Sequence, residues 1–180
     1  APVVLICQNN QWAISTPVSA QTATPTMAEK ALAYGLPAVR VDGNDALACY
    51  VAMRALVDRA RRGEGPQFLE ALTYRVSAHS SSDDPSRYRD ESVTAVWRES
   101  RCPLVRFRAF LLSRGLLSAE GDSALRDELD AEVRAVITAE ESVGPPPLRS
   151  LVEDVFAQVP AHLAEQLAEV AAALPQKPAH

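Results

Sequence analysis

The 180-residue sequence lacks the features that mark several classes of protein. It has only three cysteines, widely spaced at Cys7, Cys49 and Cys102, so neither a disulfide framework nor a cysteine zinc site is expected. No apolar run approaches the roughly 20 residues that a membrane span needs, and the N-terminus lacks the basic region and apolar stretch of a signal peptide. We therefore expect free thiols, a reducing cytoplasm and no membrane partner.

Basic charge is also scarce. Lys and Arg total 18 against 23 Asp and Glu, which gives a net charge of −5. Non-specific binding to nucleic acid needs a basic surface, so no nucleic-acid partner is expected. The general motifs GxGxxG, GxxxxGK[ST] and GxSxG do not occur in the sequence, so its chemistry must be sought in less general patterns.

Strand and helix signals alternate in the first half of the chain. Strands are predicted at 3–7, 37–41 and 67–74, and helices at 27–35 and 46–61. The apolar run at 3–7 is typical of a strand that is buried on both faces of a parallel sheet. This alternation predicts an α/β fold in which helices flank parallel strands.

The pattern changes after the third predicted strand. Residues 75–90 read as a polar loop, and only helices are expected beyond it, at 103–114, 122–142 and 163–174. We divide the chain into an α/β part at 1–90, a helical segment at 91–142, and a Pro-rich linker with a tail helix at 143–180. Because the sequence begins almost directly with a strand, we expect it to be part of a longer protein.

Two adjacent amides, Asn9 and Asn10, follow the first predicted strand, and Trp12 comes two residues later. Ligands of open parallel sheets bind beyond the carboxyl ends of the strands. An Asn side-chain oxygen and a backbone carbonyl two residues later are suitable ligands for Mg²⁺, which prefers oxygen. A short Asx turn is the alternative interpretation, and the spacing alone leaves both open.

The segment YRVSAHSSSDDPSRYR, at 74–89, is the second candidate. It concentrates arginines, aspartates and His79 among small hydroxyl side chains. Long loops of this kind are often functional, although a solvated surface loop has a similar composition. A third motif, DGND at 42–45, is interpreted as a turn that also caps a helix.

These blocks together resemble one family. CQNNQWAISTP, RVDGND, ARRGEGP and then FLEALTYR, HSSSDD and YR occur in this order, as in the carboxyl-terminal half of the alpha subunit of thiamine-diphosphate-dependent 2-oxo acid dehydrogenases. The similarity runs from about Val3 to Leu167. It implies part of a thiamine-diphosphate-binding α/β fold, followed by an all-helical carboxyl-terminal segment. The Gly-Asp-Gly half of the family's cofactor motif is absent from this sequence.

The resemblance also implies a binding site for thiamine diphosphate and Mg²⁺. Asn10 would ligate the metal through its side chain and Trp12 through its backbone carbonyl. Ile14 would lie beside the aminopyrimidine ring. His79 would contact the diphosphate near the reacting centre and is the candidate catalytic residue. Gln8 is also a candidate cofactor-binding residue; it stands where some members have an arginine, which removes one phosphate contact.

Further residues match those that keep the His79 loop ordered in the family: Arg75, Ser80, Asp83, Tyr88 and Arg89. Ser80 matches a serine that a dedicated kinase phosphorylates in mitochondrial members. A phosphate there would repel the anionic cofactor and disorder the loop. We do not expect this regulation in a bacterial-looking cytoplasmic chain.

The implied reaction is oxidative decarboxylation of 2-oxo acids, with transfer of the acyl group to a lipoyl-bearing acyltransferase core. The implied partner is a beta subunit in an alpha2beta2 assembly, which supplies the carboxylate that activates the cofactor. SSSDD and the tail sequence favour branched-chain 2-oxo acids such as 2-oxoisovalerate. The alternatives are a pyruvate or acetoin dehydrogenase, a transketolase-like enzyme, or an assembly module without cofactor binding.

Overall fold

The computed structural model of the chain describes residues 1–174, so the end of the predicted tail segment, including His180, lies outside the described residues. The strands are β1 (Val4–Asn9), β2 (Trp12–Ala13), β3 (Thr16–Pro17), β4 (Ala38–Asp42) and β5 (Gln67–Leu72). The α-helices are α1 (Val18–Gln21), α2 (Ala28–Ala33), α3 (Ala46–Arg61), α4 (Glu91–Glu99), α5 (Pro103–Ser113), α6 (Ala119–Val143), α7 (Ser150–Glu153) and α8 (Ala161–Ala173).

The core of the fold is a parallel sheet with the strand order β1-β5-β4. Asn9 of β1 and Asp42 of β4 are both in register with Leu72 of β5, the last residue of the central strand. All three strands therefore end at one level, and the polar segments that follow them meet at the same edge of the sheet. The predicted α/β alternation with parallel strands is confirmed.

Strand β1 is more exposed than its sequence predicts. Leu5 is 44% exposed and Ile6 is 56% exposed. Because β1 is an edge strand of this sheet, residues 1–174 do not cover it as they cover a central strand. The expected burial on both faces is not met within the described residues.

The DGND motif forms the predicted turn and cap. The Asp45 carboxylate accepts a hydrogen bond from the Ala48 N–H at 2.9 Å, at the start of α3. Gly43 donates its N–H to the Leu72 carbonyl at 2.7 Å. A Cβ at Gly43 would lie 2.9 Å from that same oxygen, so only glycine permits this close approach of two backbones.

Two segments contain elements that the sequence did not predict individually. The segment at 15–25, which is rich in Ser, Thr, Pro and Gln and for which no strand or helix is predicted, contains β3 and the single-turn helix α1. Helix α4 follows the polar loop and begins where the Asp90 carboxylate accepts the Ser92 N–H at 2.8 Å. This helix buries Trp97, whose ring stacks on Tyr74 with 5.4 Å between the ring centroids.

The chain divides into two compact units, with the boundary between Gly121 and Asp122. The first contains the sheet and α1 to α5, and the second contains α7 and α8. The three-part division made from the sequence stays a prediction. Among residues 1–174, no helix combines the length and apolar character needed to cross a membrane. Within the same range all three cysteines are free and half-buried.

Candidate functional site

The first part of the candidate site is the turn that follows β1. The Asn9 side-chain oxygen accepts the Gln11 N–H at 3.1 Å, and the Asn10 side-chain oxygen accepts the Trp12 N–H at 3.0 Å. Both asparagines therefore form Asx turns, as one of the two interpretations predicts. A carboxamide oxygen has two lone pairs, so this bond leaves the Asn10 oxygen able to bind a cation as well.

The carbonyl of Trp12 points toward the same side as the Asn10 oxygen. Trp12 pairs with Pro17 in the β2–β3 hairpin, and the flanking hydrogen bond runs from the Val18 N–H to the Gln11 carbonyl at 2.9 Å. This pattern makes Trp12–Pro17 a non-hydrogen-bonded pair, whose N–H and C=O groups point away from the partner strand. Since the Trp12 N–H faces Asn10, its carbonyl lies on that side too.

Two residues of this segment adopt unfavourable backbone conformations. Gln11 has a φ of 68° and Ile14 has a φ of 53°. Positive φ is uncommon outside glycine and is a clear outlier for a β-branched residue. Such strain concentrates at sites where the surrounding contacts enforce it. Gln11 is held by a bond from its side-chain nitrogen to the Thr73 carbonyl at 2.9 Å, and the Ile14 side chain is left exposed.

The second part of the site is the loop at 75–90, and Arg89 is its main anchor. The Arg89 side chain is only 2% exposed. Its guanidinium donates to the carbonyls of Arg75 at 2.6 Å and Val76 at 2.9 Å, and it also pairs with Glu91 at 2.8 Å. One planar group therefore fixes successive carbonyls of the loop, which an arginine fork can do and a single ammonium cannot.

A relay of hydrogen bonds connects the remaining predicted loop residues. Arg75 donates to the Tyr88 hydroxyl at 2.7 Å, which in turn donates to the Asp83 carboxylate at 2.7 Å. The same carboxylate oxygen accepts the His79 backbone N–H at 2.8 Å. The His79 N–H, followed by the Tyr88 hydroxyl, holds the pKa of Asp83 below its usual value, because both bonds favour the charged form.

Direct contacts join the turn to the loop. Arg75 donates its guanidinium to the Ile14 carbonyl at 2.7 Å and its backbone N–H to the Asn10 carbonyl at 3.2 Å. The rings of Trp12 and Tyr88 meet with 5.4 Å between their centroids. The two segments that the sequence singled out separately are thus one continuous structure.

The remaining predicted residues lie around this structure. Gln8 is exposed at the end of β1 and lines a small cleft of about 150 Å³ with Asn10 and Trp12. His79 and Ser80 are exposed on the loop, and the Ser80 hydroxyl lies 3.2 Å from that of Ser82. The roles that the resemblance gives to these residues stay predictions.

The donor set at the turn fits a magnesium ion. Asn10 and Trp12 offer two neutral oxygens on one side of the turn, and Mg²⁺ takes about six oxygens, several of them from phosphate and water. Among residues 1–174, no group of three or more His, Cys, Asp or Glu side chains is placed to hold a metal. In the same range the Nε–H of Arg75 is buried without a hydrogen-bond partner, so the guanidinium beside the turn has one donor that the described residues do not satisfy.

Sequence reasoning missed two positions that shape the turn. Glu70 of β5 is completely buried and accepts a hydrogen bond from the Asn9 side-chain nitrogen at 2.8 Å. The available signal was a single carboxylate inside the apolar strand FLEAL, because a buried charge needs partners. Gln11 is the second position that was missed, and no sequence signal indicates its positive φ.

Comparison with known proteins identifies the family. The family model described as "Dehydrogenase E1 component" matches residues 1–148. The chain belongs to the alpha-type dehydrogenase E1 family. The resemblance inferred from the ordered blocks is therefore confirmed at the level of the family, and the match covers the turn and the His79 loop.

Relatives of two substrate types are similar to this member of the family. It is 43% identical over 167 residues to the pyruvate dehydrogenase E1 component subunit alpha of Staphylococcus aureus, which covers 92% of this chain and 45% of the relative. Identity to the Acholeplasma laidlawii protein of the same description is 43%, covering 94% and 49% of the two chains. Identity to the mitochondrial 2-oxoisovalerate dehydrogenase subunit alpha 2 of Arabidopsis thaliana is also 43%, covering 92% and 35%. The chain thus spans about half or less of the length of these relatives.

Proposed function

We propose that these residues form the Mg²⁺- and diphosphate-binding part of a thiamine-diphosphate-dependent 2-oxo acid dehydrogenase. The enzyme would act with a beta subunit in an alpha2beta2 assembly and pass its acyl product to a lipoyl-bearing acyltransferase. The observation that carries the proposal is the pair of oxygens from Asn10 and Trp12 on one side of the turn after β1. This position at the carboxyl end of a parallel strand is where α/β sheets bind ligands.

Each part of the site has a task in this proposal. Asn10 and Trp12 hold the metal, which neutralises the diphosphate charge. The Arg75 relay keeps the loop closed against the turn and places His79 near the diphosphate. Ile14, held in a strained conformation with its side chain exposed, offers an apolar surface to the aminopyrimidine ring. When bound, thiamine diphosphate supplies the nucleophile and the electron sink for the loss of carbon dioxide.

For the substrate, we propose branched-chain 2-oxo acids. The SSSDD loop sequence supports this choice, as does the similarity to the Arabidopsis 2-oxoisovalerate dehydrogenase subunit. Pyruvate is the second candidate, and it is supported by equal identity to the pyruvate dehydrogenase subunits of Staphylococcus aureus and Acholeplasma laidlawii. A reducing bacterial cytoplasm remains the proposed location.

The test uses the assembled enzyme, by which we mean the polypeptide that carries these residues together with the beta subunit. Binding of thiamine diphosphate is titrated calorimetrically at several Mg²⁺ concentrations. We expect Mg²⁺-dependent binding that Asn10→Ala weakens strongly and Asn10→Asp retains, because aspartate keeps an oxygen at that position. Binding that does not depend on Mg²⁺, or that Asn10→Ala leaves intact, would refute the site, whereas absence of binding would favour the alternative of an assembly module.

A second measurement separates the substrates. The assembled enzyme is supplied with a lipoyl acceptor and turned over with pyruvate, 3-methyl-2-oxobutanoate and acetoin in parallel. The proposal expects the highest kcat/KM for 3-methyl-2-oxobutanoate. Preference for pyruvate would establish the second candidate, and activity with acetoin alone would overturn both.

A further inference from the structure

Glu70 is buried against Asn9, the first residue of the turn that forms the candidate metal site. It lies on the central strand β5, is completely buried, and has three neighbouring donors. Its carboxylate accepts from the Asn9 side-chain nitrogen at 2.8 Å and from the Ala28 N–H at 2.9 Å, and the Arg40 guanidinium lies 3.7 Å away. Burial of a charged carboxylate is costly unless it is paired, so this carboxylate depends on the Asn9 side chain as one of its few partners.

The Asn9 bond determines which way the amide of Asn9 faces. With its nitrogen on Glu70, the Asn9 oxygen is left to accept the Gln11 N–H at 3.1 Å. The flipped amide would place oxygen against carboxylate and nitrogen against an N–H, so both contacts would become repulsive. Glu70 therefore selects the single Asn9 orientation that supports the turn.

The Gln11 contact fixes the metal-facing oxygens in turn. Gln11 has a φ of 68°, a conformation that a non-glycine residue keeps only when its surroundings enforce it. The next residue is Trp12, whose N–H binds the Asn10 oxygen at 3.0 Å. If the Gln11 backbone relaxed, Trp12 would rotate and the two oxygens would no longer face the same side.

We infer that Glu70 is a positioning residue for the magnesium site, acting through the Asn9 amide. It touches neither metal nor cofactor and instead orients the turn that presents the Asn10 and Trp12 oxygens. The inference rests on the proposed function, because it assumes that these oxygens bind the cation. Loss of a residue that supports metal ligands in this way typically weakens metal binding by roughly 10- to 100-fold.

The inference is tested by exchanging the carboxylate of Glu70 and the carboxamide of Asn9, singly and together. In Glu70→Gln an amide nitrogen replaces one of the two accepting oxygens, so it faces the N–H of either Asn9 or Ala28, which both donate in the wild type. In Asn9→Asp two carboxylates face each other. In the double variant, the carboxamide introduced at position 70 can accept from Ala28 and donate to the aspartate introduced at position 9, whose second oxygen still accepts the Gln11 N–H. Every hydrogen bond is restored with the direction of one reversed.

The readout is the apparent Kd for Mg²⁺, measured calorimetrically in the assembled enzyme at fixed thiamine diphosphate. We expect roughly 10- to 100-fold weakening in each single variant and recovery of most of that loss in the double variant. We also expect kcat at saturating Mg²⁺ to fall much less than the affinity, since the ligands themselves remain. Glu64→Gln, the same change near the opposite end of β5, is the matched control and should leave the Kd unchanged.

Each outcome decides the question. Unchanged Mg²⁺ affinity in Glu70→Gln, or a double variant that binds no better than the single variants, would overturn the inference. If Glu70→Gln does not assemble, the comparison of Asn9→Asp with the double variant decides in the same way. Absence of Mg²⁺-dependent binding in the wild type would refute the proposed function instead. Wild-type binding that Asn10→Ala abolishes and Glu70→Gln does not affect would refute only the role of Glu70.

Discussion

Replacing Arg89 with lysine should release the loop that carries His79. The buried guanidinium bonds the carbonyls of Arg75 and Val76 at 2.6 and 2.9 Å, and a lysine ammonium cannot bridge both in the same geometry. Loss of one hydrogen bond to a charged group costs about 1.5–3 kcal/mol. The guanidinium also lies 5.8 Å from the ring centre of Tyr74, and a lysine would keep only part of this cation–π contact, at a cost of about 0.5–1 kcal/mol.

Together these losses amount to about 2–4 kcal/mol for opening the loop. Such a change raises the opening equilibrium about 30- to 1,000-fold. Native-state hydrogen exchange measures it directly, because the His79 N–H is bonded to Asp83 within the loop and becomes exchangeable when the loop opens. Arg87→Lys, an equivalent change at an exposed position of the same loop, should leave the exchange unchanged. Equal protection of the His79 amide in Arg89→Lys and wild type would refute the anchoring role.

Four smaller predictions follow from the same geometry. Asp45→Ala should lower the free energy of unfolding by about 1 kcal/mol through loss of the α3 cap, and Asp45→Asn should retain most of that energy in a denaturant titration. The pKa of Asp83 is held below its ordinary 3.8, so the charged carboxylate stabilises the loop fully above that pH, and this stabilisation is lost as the pH falls through the lowered pKa. Hydrogen exchange of the loop should therefore increase at acid pH, and Asp83→Asn should abolish this increase. An unaltered increase in the variant would contradict the role given to Asp83. Gly43→Ala should destabilise the chain by about 1–3 kcal/mol in the same titration, because its Cβ would press on the Leu72 carbonyl. Gln8→Arg should tighten binding of thiamine diphosphate by adding a charged donor to the cleft, and unchanged calorimetric affinity would show that this cleft does not face the phosphates.

Local patterns were sufficient to predict the framework of the fold. The alternation of apolar runs and capped helices predicted the parallel strands, and DGND predicted the Asp45 cap. Helix α3 was predicted at 46–61, and it occupies the same residues in the structure. These features depend on residues that are close together in the sequence, so they can be predicted from one amino-acid sequence alone.

Features that depend on distant residues were not predicted. The Glu70–Asn9 bond joins residues 61 positions apart, and composition alone does not reveal which buried carboxylate meets which amide. Burial of β1 was overestimated for a related reason. An apolar sequence indicates that a strand can be buried, but it does not reveal whether residues 1–174 contain the segments that would cover it. At the site, the sequence named Arg75, Asp83 and Tyr88, but only the structure shows the order in which they bond.

The central claim is that Asn10 and Trp12 together hold a divalent cation. The most direct measurement is a crystal structure of the assembled enzyme with thiamine diphosphate and Mn²⁺ in place of Mg²⁺, in which anomalous scattering locates the metal. We predict one strong peak at about 2.0–2.2 Å from both the Asn10 side-chain oxygen and the Trp12 carbonyl oxygen. A peak bonded to other residues, with the Asn10 carboxamide turned away from it, would contradict the account.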